Sequence, residues 1–125
     1  PYPYTKLLDH ASQAWLYQSA NSDKPYMPYL PSGWDPRPWK DPRPSFMAPT
    51  ESEWTDALSQ VKSTLDRCPH LGIPSGHIDN QKAFIIYAWN EYGEGGIVAP
   101  TQGEQLMKLK CIDKVFGHQS DIGEK

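Results

Sequence analysis

Cysteine is scarce in this chain. Cys68 and Cys111 are the only two in 125 residues, and no Cys-x-x-Cys pair exists. That argues against a disulfide-stapled scaffold or a cysteine-built zinc site. On separate predicted helices, the two thiols are expected to be free and packed rather than bridged. The four histidines (His10, His70, His77, His118) are scattered without metal-ligand spacing, so no metal and no other cofactor is expected. No run of 18 apolar residues occurs, so no segment is expected to cross a bilayer as a helix. Charge of one sign is also lacking. The net charge is −3 and the pI about 5.7, which argues against a nucleic-acid partner.

Proline, by contrast, is abundant. Thirteen prolines and a mean hydropathy of −0.69 imply long ordered loops and a modest core. The prolines crowd between Pro25 and Pro49 among Trp, Tyr and Met, a mixture unlike a disordered linker. The chain starts at Pro1 without a signal-like segment, and this start is expected to be a cut or an incomplete chain rather than a natural N-terminus. The cysteines do not decide a compartment; a secreted, periplasmic or lumenal setting is slightly preferred to the cytoplasm.

Tyr4, Leu7, Leu8, Ala11 and Trp15 recur at helical spacing and predict a helix with one buried face. Pro25–Pro31 is aromatic and reads as a weak strand, with Pro28 counting against it. A long loop follows to Pro49. Thr50 and Glu53 then fit a capping box that opens a helix striped by Trp54, Ala57, Leu58, Val61 and Leu65, and Pro69 ends it. Leu71–Gln81 carries turn chemistry. Leu106, Leu109, Ile112 and Phe116 predict a last helix, with Gly117 as its left-handed cap. The main unit is residues 1–117, and 118–125 is expected to be a polar, fraying tail.

The most informative stretch is Ala83 to Gly95. Ala83–Trp89 is apolar without alternation, so a strand covered on both faces is expected, as in a parallel sheet. It runs into Glu91 and Glu94, bracketed by Trp, Tyr and Gly. Loops after parallel strands form the crevice of α/β proteins. Two carboxylates among aromatics at such a place suggest acid/base work on a sugar, because mutual repulsion and desolvation push two such pKa values apart. Glu-x-x-Glu is common on solvated helices, but the surrounding Gly93, Gly95 and Gly96 argue against a helix here. Helices alternating with strands imply parallel pairing. Two strands cannot cover themselves, so partner strands are expected on sequence outside this chain.

Three segments resemble the glycoside hydrolase family 99-like proteins, which include endo-α-mannosidases and relatives from bacterial polysaccharide loci. They are the loop Gly33-Trp34-Asp35-Pro36-Arg37, the helix start Pro49-Thr50, and Ala88-Trp89-Asn90-Glu91-Tyr92-Gly93-Glu94-Gly95. The resemblance implies the C-terminal part of a (β/α)8 barrel, about two β/α units plus a preceding helix, completed by an N-terminal part. It implies that Glu91 acts as a base on the substrate's own 2-hydroxyl, giving an anhydro-sugar intermediate, and that Glu94 is the general acid/base, with net retention. Tyr92 stands where the family commonly has Trp, Gly93 where endo-mannosidases have His, and Ala99 where many relatives have a carboxylate. The first two departures place the chain nearer the polysaccharide-locus relatives, and the third bears on which sugar is taken.

The expected function is therefore a retaining hydrolase of α-linked glycans, mannoside-like or bacterial polysaccharide, with a glycan as partner. The alternative is a non-catalytic glycan-binding or polysaccharide-biosynthesis module on the same barrel. Asn90 is expected to hold a glutamate, a sugar hydroxyl or loop backbone. Tyr92 is the expected sugar contact, and Trp89 is expected in the core. Asp35 and Arg37 either grip the glycan or staple their loop as an ion pair. Trp34 and Trp39 are either a binding wall or a local cluster. His70 and His77 are expected in solvated loops.

Overall fold

The computed structural model describes residues 1–117, so the expected tail lies outside the described residues. Helix α1 (Tyr4–Asn21) buries Tyr4, Leu8 and Trp15, the face its spacing predicts. Helix α2 (Glu51–Arg67) opens on the expected capping box. Thr50 Oγ1 accepts from the Glu53 amide at 3.3 Å, and Glu53 Oε2 accepts from the Thr50 amide at 2.8 Å. Its apolar stripe is fully buried around Trp54, whose indole donates to the Lys108 carbonyl of the last helix at 3.2 Å. Removing a buried tryptophan of this kind costs about 3–5 kcal/mol. Helix α3 (Met107–Phe116) packs along α2 and buries Cys111. Both thiols are free. Gly117 is not left-handed; its φ is −62°. A side chain there would instead strike the Asp113 carbonyl at 2.3 Å.

Strand β1 (Tyr29–Pro31) pairs in parallel with β2 (Ile85–Tyr87), and α2 lies between them in sequence. β1 begins just past Pro28. That residue has no amide proton to give, yet its carbonyl accepts from the Ile85 amide at 2.8 Å. β2 occupies three of the seven residues expected to be extended. Leu30 faces the helices and is fully buried, while Tyr29 and Ile85 are 40% and 47% exposed. The expectation of cover on both faces is thus not met among the described residues, because the buried core lies on one side of this sheet. On β1's far edge the Tyr29 carbonyl accepts from the Trp15 indole at 2.7 Å, and the Pro31 carbonyl accepts from the Tyr4 hydroxyl at 2.8 Å. Two core aromatics of α1 therefore also fix β1.

The sequence pattern did not indicate the hairpin that follows. β3 (Asn90–Glu91) and β4 (Gly96–Ile97) pair antiparallel around a 3-10 turn at Tyr92–Glu94.

Candidate active site

The hairpin carrying the two glutamates sits directly at the C-terminal end of β2, and three contacts set its position. Ser32, fully buried after β1, donates its hydroxyl to the Tyr87 carbonyl at 2.9 Å and accepts from the Ala88 amide at 3.1 Å. The Asp35 amide donates to the Glu94 carbonyl at 2.6 Å. Gly33 and Gly95 permit this approach: a Cβ on Gly33 would meet the Gly95 carbonyl at 2.2 Å, and Gly95 turns the hairpin at φ +70°. On the other side the buried Lys108 ammonium donates to the Ile97 carbonyl at 2.7 Å and pairs with Glu104 at 3.0 Å. The loop after β1 and the loop after β2 are thereby joined backbone to backbone.

Glu94 is half-buried, and its Oε2 accepts a hydrogen bond from the Tyr87 hydroxyl. That contact, followed by burial, pushes the Tyr87 phenol up to about 12, since a neutral hydroxyl beside a carboxylate resists ionising. The Tyr29 ring lies 5.9 Å from the Tyr87 ring; burial and then the Glu94 charge raise its pKa as well. Glu91 ends β3 and is exposed, as are Asn90 and Tyr92, the latter at 58%. The Asn90 side chain makes no hydrogen bond with the described residues. Trp89, expected in the core, is 55% exposed. It follows the end of β2, where the chain turns out into the hairpin, and its carbonyl accepts from the Val98 and Ala99 amides at 3.0 and 2.8 Å.

Asp35 and Arg37 bind each other. Arg37 Nε and Nη2 donate to the two carboxylate oxygens, each at 2.7 Å, and this holds the Asp35 carboxyl below the usual carboxylate range. Of the two expected roles, this is the loop-stapling arrangement. Trp34 is half-buried with the Arg43 guanidinium 4.7 Å over its ring. Trp39 is 69% exposed and lies against Gly93, where a Cβ would come within 2.5 Å of its indole nitrogen. His70 and His77 are exposed, as expected; His70 Nε2 lies 2.9 Å from the Ser19 hydroxyl.

The structure therefore joins the Asp35 and Glu94 backbones and sets the Trp34 loop against Gly95 of the hairpin. Glu91, Asn90 and Tyr92 lie on the solvent side of the same hairpin. Tyr87, Tyr29 and Arg43 escaped the sequence reading. The signal for Arg43 was present as a repeat: Asp35-Pro36-Arg37-Pro38 is followed by Asp41-Pro42-Arg43-Pro44. For Tyr87 the signal was a phenol at the end of an apolar strand that meets a carboxylate loop. Among the described residues, no three His, Cys, Asp or Glu side chains gather as a metal site. No helix among them is long and apolar enough to cross a membrane. No family model matches the chain, and neither a curated protein nor a solved structure matches it.

Proposed function

We propose that the protein is a glycoside hydrolase acting with retention on α-linked glycans, on the closing part of a (β/α)8 barrel. The observation that carries this reading is Glu94, half-buried at the C-terminal end of a parallel strand pair and held by the Tyr87 hydroxyl. Parallel strands present catalytic groups at this end, because the loops there converge. Glu94, in its protonated form, delivers a proton to the leaving glycosidic oxygen and is left as the carboxylate, and Tyr87 fixes where its carboxyl points. Glu91, on the exposed strand of the same hairpin, takes the proton from the sugar's 2-hydroxyl. The exposed rings of Trp89 and Tyr92 offer apolar faces to the C–H face of a sugar.

The barrel is compatible with both sheet edges. The Ile85 amide and Tyr87 carbonyl point toward β1, so the backbone of Ile86 points outward, toward a further strand. A neighbour for β1 would share the Tyr29 and Pro31 carbonyls with Trp15 and Tyr4, and each carbonyl has two lone pairs.

The test is sugar release from α-mannosides and bacterial polysaccharides by the protein and its Glu94→Gln and Glu91→Gln variants. Release that falls by about three or more powers of ten in Glu94→Gln, with binding retained, supports the hydrolase. Binding without release in all three proteins refutes it and favours a glycan-binding or polysaccharide-biosynthesis module.

A further inference from the structure

The repeated Asp-Pro-Arg-Pro builds the same device twice. In each copy the arginine amide donates to the aspartate, at 3.2 Å for Arg37 and 2.9 Å for Arg43. In each, the guanidinium Nε and Nη2 lie flat against the carboxylate. Each charge is thus compensated within its own loop, while Nη1 donates to none of the described residues. Trp34 and Phe46 line two separate cavities. One, of about 430 Å³, includes Arg37 and Gly95 of the glutamate hairpin. The other, of about 390 Å³, includes Arg43, Tyr29 and His10. Tyr29 connects this second cavity to Tyr87 and so to Glu94.

We propose that the second cavity is a sugar subsite, which takes a neutral, hydroxyl-rich ring of the same glycan beside the Trp34–Arg43 contact. This rests on the glycan-directed reading above, though not on catalysis. A guanidinium already neutralised by Asp41 has no charge left over for an acidic sugar, but its remaining N–H groups suit hydroxyl oxygens. Tyr29 and Phe46 supply the apolar walls.

The test measures binding by isothermal titration in the Glu94→Gln protein, so that turnover plays no part. The probes are methyl α-mannoside, a linear α-linked mannotriose and an alginate trimer. The triose is expected to bind about tenfold tighter than the monosaccharide. That advantage should vanish when Arg43→Ala is added at unchanged melting temperature. Asp41→Asn, which uncovers the guanidinium charge, should raise alginate binding while lowering triose binding. The proposal is overturned if monosaccharide and triose bind equally, if no mannoside binds, if alginate is preferred from the start, or if the triose advantage survives Arg43→Ala. A length effect with no sugar release by the parent would keep the subsite and remove the hydrolase. Release without a length effect would do the reverse.

Discussion

Replacing Ser32 by alanine tests how the glutamate hairpin is held. The side chain is fully buried, and its hydroxyl makes its two shorter bonds to the Tyr87 carbonyl and the Ala88 amide, with the Ala88 carbonyl farther off at 3.4 Å. The two losses are unequal. The Tyr87 carbonyl keeps a partner, because the Ser32 amide also donates to it at 2.7 Å. The Ala88 amide loses its partner, and a donor left unmade costs about 1–3 kcal/mol, against about 1 kcal/mol for an ordinary net hydrogen bond. Alanine otherwise fits the space, so the expected loss is about 2 kcal/mol. For a chain of this length that lowers the melting temperature by roughly 8 °C. Ser12→Ala is the control, since Ser12 makes one exposed bond to the Asp9 carbonyl at 3.0 Å and should cost under about 0.5 kcal/mol. The readout is the urea midpoint at constant m-value. If Ser32→Ala costs no more than Ser12→Ala, Ser32 does not hold the hairpin.

Three further outcomes are expected. In 13C-tyrosine NMR the Tyr87 phenol should titrate near 12 and return toward 10 in Glu94→Gln; an unchanged midpoint would separate the two groups. Because the folded state favours the neutral forms of Tyr87 and the buried Tyr4, the stability they contribute is complete below pH 10 and falls as pH rises toward 12. Tyr87→Phe should flatten that fall. Thr50→Ala removes one half of the α2 capping box and should cost about 1 kcal/mol in the same denaturation assay. A loss near zero would mean that water replaces the cap.

Elements with local causes were legible. The α2 boundary follows from Thr50, Glu53 and Pro69, and the α1 face from the spacing of Tyr4, Leu8 and Trp15. The order of α1, β1, α2, β2 and α3 was readable for the same reason. The hairpin was not, because two-residue strands are too short to show alternation and their pairing is imposed by the turn at Gly95. Trp89 was misplaced because an apolar run does not disclose where the chain leaves the sheet. Of the site, Glu94 and its loop were visible, whereas its partner Tyr87 lay hidden inside the run that defines the strand. Arg43 depends on the Trp34 ring reaching across nine residues of sequence, and a loop rich in proline has no periodicity to show that contact.

Lys108 has a consequence for motion. Its ammonium is buried and tied to the Ile97 carbonyl and to Glu104, and a charge removed from water does not readily give up such partners. At the opposite foot of the hairpin Ser32 holds Ala88, and at its turn Asp35 holds Glu94. The segment that carries Glu91 and Glu94 therefore has no hinge of its own: swinging it open would break contacts at both feet together. It is tied to α3 and to the strand pair at once, so any opening beside the two carboxylates would have to come from a segment other than the one that bears them.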